Sequence, residues 1–309
     1  MTTEHAAPLS RHYVFTEHGG PETEALLERA VPEPGRGELL VEVRAAGVNP
    51  ADWKLREGLF GRVEVPRTLG FEVAGTVLAV GDGVEEYAVG DEVLGSPAPG
   101  EGGYADHTLI RAGDAVRKPG GVPFPVAATL PVAGTTAYDL THAVEVEPGQ
   151  TMLVLGAGGG VGSLAAQIGR ARQLQVIGVA SMSKREIVEA TGAQWVAAGD
   201  GVVAAVREIA PDAVHLLLDL VGGRALRDVA ELAVSPERII SAADGDTVAE
   251  LGGTYRPSRP DALEQVTAMV AAGQITPQVT HEFPLEHARR ALALVESGHA
   301  EGKTVIVPR

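Results

Sequence analysis

The chain has 309 residues, 45% of them apolar, enough material for two buried cores at a common ~150 residues per domain. Its net charge of −16 argues against nucleic acid, whose usual footprint is a basic face, and against an anionic membrane surface. There is no cysteine, which excludes disulfides, a thiolate nucleophile, iron–sulfur clusters and every cysteine-ligated zinc site.

The opening MTTEHAAPLSRHYVF has no apolar h-region and does not read as a secretory signal. No apolar run reaches the ~18 residues of a membrane span, so the expectation is a soluble, cytoplasmic protein. Up to about residue 130 the text is β in character. Short β-rich runs at 39–43 (LLVEV) and 73–80 (VAGTVLAV) are separated by turn clusters at 32–37 (PEPGRG) and 81–83 (GDG). Residues 90–95 and 102–110 continue the pattern, which suits a compact barrel. Residues 126–143 are mostly apolar and predict one long helix despite Pro131.

Alternation then begins. The strand 151–155 (TMLVL) runs into glycines, and a helix over 161–174 places Leu164, Ala165, Ile168 and Ala171 on one face. Strands follow at 175–180, 195–198, 213–220 and 238–242, interleaved with helices at 184–191 and 202–209. This is the signature of βαβ units and a parallel sheet. A helix over 260–272 and a strand at 303–307 (KTVIV) close the chain.

Between the strand 151–155 and its helix stands Gly156-Ala157-Gly158-Gly159-Gly160-Val161-Gly162. Glycines in such a turn allow a tight reversal, close backbone approach to a pyrophosphate, and close packing of helix on strand. The N–H groups opening the helix then supply donors and a favourable dipole. The spacing is GxxGxxG (Gly156, Gly159, Gly162) rather than the commoner GxGxxG, and a purely structural turn is the alternative. The strand–turn–helix context, with another strand inside a ~30-residue unit, favours a dinucleotide. An NAD site usually carries an acid about 20 residues past the glycines. Here the second strand ends Ser181-Met182-Ser183-Lys184-Arg185, with no acid before Glu186. Hydroxyls followed by two cations suit the 2′-phosphate of NADPH, which Arg185 could bind bidentately. Cations opening a helix are unfavourable with its dipole, which weighs against a merely solvated helix start.

Further phrases stand at 19–22 (GGPE), 31–40 (VPEPGRGELL), 45–58 (AAGVNPADWKLREG), 69–75 (LGFEVAG), 134–138 (GTTAY) and 301–307 (EGKTVIV). Together with the glycine turn, in this order and spacing, they resemble the zinc-free, zeta-crystallin-like quinone oxidoreductase branch of the medium-chain dehydrogenase/reductases. The similarity runs from about Tyr13 to the C-terminus. It implies an α/β protein with a GroES-like β-barrel catalytic domain, residues 1–130 completed by 270–309. A Rossmann domain, a doubly wound parallel sheet over 131–269, would bind NADPH, with the active site in the interdomain cleft.

The same resemblance implies that no metal is held. Zinc-containing relatives place a Cys where this chain has Asn49 and a His where it has Phe71, and Glu72 alone holds no zinc. Carried over by position, Asn49 would sit beside nicotinamide and substrate, with residues 50–54 along the cofactor's edge and Trp53 and Tyr104 toward the substrate. Thr136 would approach the nicotinamide ribose or phosphate, Gly160 and Val161 the pyrophosphate, and Ser181, Lys184 and Arg185 the 2′-phosphate. Ala242, within 241–243, would flank the nicotinamide. Gly199 stands where many relatives stack a tyrosine on the adenine, and the acidic stretch after Ala243 would line the substrate side.

The reaction implied is hydride transfer from NADPH to a small electrophile, either a quinone or an α,β-unsaturated carbonyl. Lys54 is the first candidate for a proton donor, ahead of Tyr104 and Asp52. An enoyl-thioester reductase is one alternative, although a CoA or carrier partner would favour a basic rim that this chain lacks. A non-catalytic NADPH-binding or sensing protein is the other. Homodimerisation through the Rossmann sheet edge is usual in the family.

Overall fold

The structure, a computed structural model, describes residues 8–308, so the reading of the N-terminal segment falls partly on residues 1–7, outside that span. The chain forms two compact units, Met1–Val132 with Val279–Arg309, and Ala133–Gln278.

The first unit contains β1 (Leu9–Phe15), β2 (Glu24–Ala30), β3 (Glu38–Val48), α1 (Pro50–Arg56), β4 (Arg67–Thr68), β5 (Val73–Val80), β6 (Glu92–Pro97), β7 (His107–Arg117) and α2 (Phe124–Ala127). β1 lies between β2 and β4 in a small antiparallel sheet. β3 closes the larger sheet into a barrel. Its residues 39–46 pair with β5, while 38–42 pair with β7 on the opposite edge. Leu39, Val41 and Val43 alternate inward and are buried with Val73, Val77, Val93 and Ile110.

The second unit opens with α3 (Thr135–Thr141) and then alternates β8 (Thr151–Leu155), α4 (Gly160–Ala171), β9 (Gln175–Ala180), α5 (Arg185–Glu189), β10 (Gln194–Ala197) and α6 (Val202–Ile209). It continues with β11 (Leu216–Asp219), α7 (Gly223–Val229), β12 (Ile239–Ser241), α8 (Gly245–Glu250), β13 (Thr254–Tyr255) and α9 (Ala262–Ala271). The sheet order is β10-β9-β8-β11-β12-β13, with every pairing parallel. This is a doubly wound sheet whose order reverses between β8 and β11, the position where such sheets bind ligands. β8 and β11 are buried at every residue, as strands covered on both faces require. The chain returns to the first unit with β14 (Val279–Phe283), α10 (Ala288–Glu296) and β15 (Lys303–Ile306). β15 pairs antiparallel with residues 46–48 of β3, beyond the stretch that β7 occupies.

One expectation is corrected here. The single helix over 126–143 is three pieces: α2, a π-helical turn at Leu130–Gly134, and α3. Pro131 has no N–H and its ring crowds the preceding turn, so the regular ladder is interrupted there. The acidic stretch after Ala243 supplies α8 and β13, the outermost unit of the sheet. Asp244 starts α8 by accepting the Thr247 N–H at 2.9 Å, and Val248 is fully buried against the sheet core.

Candidate functional site

In the second unit β8 delivers the chain to the glycine turn at the carboxyl end of the sheet. Gly156 has φ +90°, the left-handed region that favours glycine. Gly162 is required by close packing, because a Cβ there would fall 2.3 Å from the Gly156 carbonyl oxygen. Gly159 is the N-cap of α4, and Gly160 and Val161 form its first turn, whose N–H groups have no partner within the helix. Gly156 also abuts Leu220 and Val221 just past β11, which puts the turn at the reversal of strand order. A backbone cradle that a Cβ would fill, at a helix start, fits a pyrophosphate.

β9 leads into residues 181–185. The exposed hydroxyls of Ser181 and Ser183 lie 3.1 Å apart. The Lys184 stem crosses the glycine turn, so that a Cβ on Gly158 would stand 2.6 Å from the Lys184 Cβ. Arg185 is engaged within its own neighbourhood. Its Nε donates to Glu189 Oε1 at 2.7 Å, and its guanidinium lies 5.2 Å from the centroid of the Trp195 ring. Only the Nη1/Nη2 edge of the fork that the sequence reading favoured is left for an anion. At Gly199 the space a Cβ would occupy has no heavy atom within 4 Å.

The ends of β11 and β12 are joined by a buried polar network. Asp219 Oδ1 accepts the N–H groups of Val221 and Gly222 at 3.0 and 2.8 Å, and its Oδ2 accepts the Ser241 hydroxyl at 2.5 Å. Ser241 Oγ in turn accepts from the N–H groups of Ala243 and Asp244. Ala242 is thereby held in a fixed turn, its own N–H on the Asp219 carbonyl at 3.0 Å. The N–H and hydroxyl of Thr247, with the Gly223 N–H, hold the Asp244 carboxyl down to about 2. Thr136, on α3, accepts a hydrogen bond from Arg256 Nη1 at 2.5 Å. Sequence reading gave no role to Asp219 or Arg256, although an acid closing the apolar run LLLD was a usable signal.

In the first unit the arrangement is made of side chains. Asn49 caps α1, and its N–H donates to Asp52 Oδ2 at 2.8 Å. The Asn49 Nδ2 donates to Glu72 Oε1 at 2.8 Å, while its Oδ1 accepts from Lys303 Nζ at 2.7 Å. Lys303 also donates to Glu72 Oε1 at 2.8 Å and to the Val48 carbonyl at 3.2 Å. Glu72 Oε2 accepts the Val132 N–H at 2.8 Å. Lys303 and Glu72 are 3% and 0% exposed, so this charge pair is out of water with its three ammonium hydrogens all partnered. Gly47 makes the room, since a Cβ there would fall 2.0 Å from Glu72 Oε1. Lys303 escaped the sequence reading, although a lysine heading the apolar strand KTVIV was its signal. Among the described residues no group of three His, Asp or Glu side chains is placed to hold a metal ion.

Tyr104 and Asp52 require correction. Both are fully buried, and the Tyr104 hydroxyl donates to Asp52 Oδ2 at 2.8 Å while the Gly70 N–H donates to Oδ1 at 3.1 Å. Burial pushes the Asp52 carboxyl up to about 7 and the Tyr104 hydroxyl well above its ordinary value. Tyr104 therefore braces the start of α1 and has no surface to offer a substrate. Trp53 packs half-buried against the barrel core, with Lys54 Nζ 5.7 Å from its ring centroid. The polar contacts of Asn49 and Asp52 run to Glu72, Lys303 and Tyr104 and leave Lys54 outside the cluster. α1 is anchored at its far end by the fully buried Arg56, which pairs with Glu24 at 2.6 Å and Glu296 at 3.0 Å. A cavity of about 400 Å³ is lined by Ala51, Phe71, Pro97, Val132, Arg67 and Glu101, among others.

A closed barrel and a doubly wound sheet carrying a phosphate-type glycine turn define a dinucleotide-dependent oxidoreductase. Residues 35–120 match the alcohol dehydrogenase GroES-like domain family, and residues 185–306 match the zinc-binding dehydrogenase family. The chain is 30% identical to the quinone oxidoreductase of Homo sapiens, over 97% of this chain and 98% of that protein. It is also 30% identical to the chloroplastic NADPH-dependent alkenal/one oxidoreductase of Arabidopsis thaliana, over 96% of this chain and 79% of that one. The solved structure of Escherichia coli quinone oxidoreductase complexed with NADPH superimposes with a TM-score of 0.88 at 27% identity, covering 96% of this chain and all of that one. The chain belongs to the quinone oxidoreductase family of the medium-chain dehydrogenase/reductases.

Proposed function

We propose that this oxidoreductase uses NADPH to reduce a quinone or an α,β-unsaturated carbonyl, and does so without zinc. NADPH, when bound, supplies the hydride, and the protein's work is binding, orientation and electrostatics. The turn from Gly156 through Gly159, with the N–H groups of Gly160 and Val161, takes the pyrophosphate. Ser181, Lys184 and Arg185 take the 2′-phosphate, and Thr136 and Ala242 border the nicotinamide half. In the barrel, Asn49 is the residue that meets nicotinamide and substrate, and Trp53 lines the substrate's side. The barrel unit is the catalytic domain and the sheet unit the cofactor domain.

The observation that carries zinc independence is Lys303. Its ammonium already neutralises Glu72 and occupies the Asn49 oxygen, at 2.8 and 2.7 Å, so a divalent cation there meets a resident positive charge. Relatives acting on alkenals and quinones support the electrophile class. A quinone accepts hydride with little acid help, whereas an enone also needs a proton, for which Lys54 is our candidate. The acidic chain, at net −16, disfavours a CoA thioester. We place the enzyme in the cytoplasm as a homodimer joined at the sheet edge, where light scattering should return twice the mass of one chain.

The test is NADPH absorbance against a panel of quinones, enones and enoyl thioesters, with and without a chelator. We expect oxidation with the first two classes, unchanged by the chelator. Turnover confined to thioesters would replace the substrate assignment, and loss of activity on chelation would remove the zinc-free one.

A further inference from the structure

We propose that Arg67 is a specificity-determining residue that favours substrates carrying a carboxylate, an inference that rests on the reductase reading above. The guanidinium takes the carboxylate inside the barrel's cavity, away from the reacting carbon. That cavity, about 400 Å³, falls in the range of about 300–1,000 Å³ usual for small-ligand sites, and its lining residues all belong to the barrel unit. Part of its wall adjoins the Asn49 cluster. Ala51 follows Asn49 by two residues, Phe71 directly precedes Glu72, and the Val132 N–H donates to Glu72 Oε2 at 2.8 Å. Another part is charged, with Arg67 on β4 and Glu101 in the loop after β6. A Cβ on Gly100 would stand 3.9 Å from Arg67 Nη1, so the guanidinium reaches the loop that carries Glu101.

Arg67 differs from the barrel's paired arginines. Arg11 and Arg56 hold Asp106 at 2.7 Å and Glu24 at 2.6 Å. The Arg67 Nε is buried, yet among the described residues it has no hydrogen-bond partner. Leaving a buried donor unpaired is costly and uncommon in folded proteins. Beside a cavity it marks a group kept for a ligand, and the planar fork of a guanidinium matches the two oxygens of a carboxylate. Glu101 does not cancel that charge. Burial raises its carboxyl above the ordinary value, although Arg29 and Arg67 pull the other way and Glu38 adds to the rise. A carboxyl raised in this way takes up a proton more readily, and once protonated it donates to a ligand's carboxylate instead of repelling it. Asp114, the cavity's other acid, is exposed to water, where its charge is screened.

The experiment compares NADPH oxidation by the full chain with a linear methyl enone ending in a carboxylate and with the methyl ester of that enone. The wild type should show a kcat/KM about tenfold higher for the carboxylate, and Arg67→Met should bring that ratio near one, through KM rather than kcat. Arg67→Lys should keep part of the preference, since the charge stays and the planar fork is lost. Arg224→Met, the same loss of charge at an 88% exposed side chain on α7, should keep the wild-type ratio. A wild-type ratio of one or below, or a ratio that Arg67→Met does not lower, would overturn the proposal. An equal fall in both Arg→Met variants would trace the preference to overall charge and overturn it too. The Tm of Arg67→Met should not drop, and misfolding would make the guanidinium a structural brace and remove its role in specificity. Calorimetric binding of the saturated keto acid, read without turnover, separates this site from the reductase reading. If the wild type reduced neither enone yet bound the keto acid, with a Kd about tenfold higher in Arg67→Met, the reductase reading would fall and the carboxylate site would stand. If both enones were reduced with no dependence on Arg67, the proposal would fall alone.

Discussion

The two units build their candidate sites from different materials. In the sheet unit the phosphate cradle is backbone, contained in residues 156–162, and it works because side chains are missing. In the barrel unit the cluster is three side chains, with Asn49 and Glu72 23 residues apart and Glu72 and Lys303 231 residues apart. A backbone cradle loses affinity in proportion to the donor disturbed. A buried charge pair behaves otherwise, because each ion is costly to desolvate and is tolerated only while its partners stand in place. The barrel cluster should therefore fail abruptly where the sheet's cradle fails by degrees.

The sharpest way to break that contrast is Lys303→Met. It leaves Glu72 charged, buried and without its ammonium, and should cost about 3–5 kcal/mol of folding stability. Denaturant unfolding of the variant measures it. The double variant Lys303→Met/Glu72→Gln should recover much of the loss, since it removes the orphaned charge. A single-variant cost near that of an exposed pair, below about 1 kcal/mol, would mean the cluster does not behave as a desolvated whole.

The same contrast explains what was legible in the sequence. The glycine turn, its flanking strands and the alternation of the sheet are short-range patterns, and β5, α6 and β8 fall on their expected residues. What local reading missed depends on distant partners. Lys303 reads as an ordinary strand-edge lysine until β15 is paired beside β3, and Arg256 as a solvated arginine until α3 lies under it. Tyr104 was misplaced for the same reason, since only the fold shows that its hydroxyl is spent on Asp52. The helix expected over 126–143 failed locally, at Pro131, where the apolar pattern was given more weight than the missing N–H.

A second prediction concerns another buried acid of the barrel. Asp52 has its carboxyl raised to about 7 from an ordinary 3.8, chiefly by burial. A raised folded-state value means the native protein holds a proton that the unfolded chain releases at lower pH. Its contribution to stability is then fully present below about pH 4 and is lost as pH rises toward 7. Asp52→Asn should abolish that decline, a difference of a few kcal/mol at most, since a tenfold change in proton affinity corresponds to about 1.4 kcal/mol. Tm measured from pH 4 to 8 for both proteins checks it. Parallel profiles would show that the N–H groups of Asn49 and Gly70 and the Tyr104 hydroxyl keep Asp52 ionised despite its burial.

The smallest effect falls in the sheet unit, where its site passes from backbone to side chains. Lys184 lies across the glycine turn, whereas Arg185 already gives its Nε to Glu189 and its face to Trp195. Lys184→Ala should therefore raise the Kd for NADPH about tenfold, ~1.4 kcal/mol, and Arg185→Ala only about threefold, ~0.6 kcal/mol, with NADH binding unchanged in both. Equal losses for the two cofactors would place these cations on a part that NADH and NADPH share, and would end the 2′-phosphate assignment. If Arg185 proved the stronger instead, it would have to exchange Glu189 for the phosphate on binding. The sheet unit would then depend, like the barrel, on a charged side chain and the partner it holds.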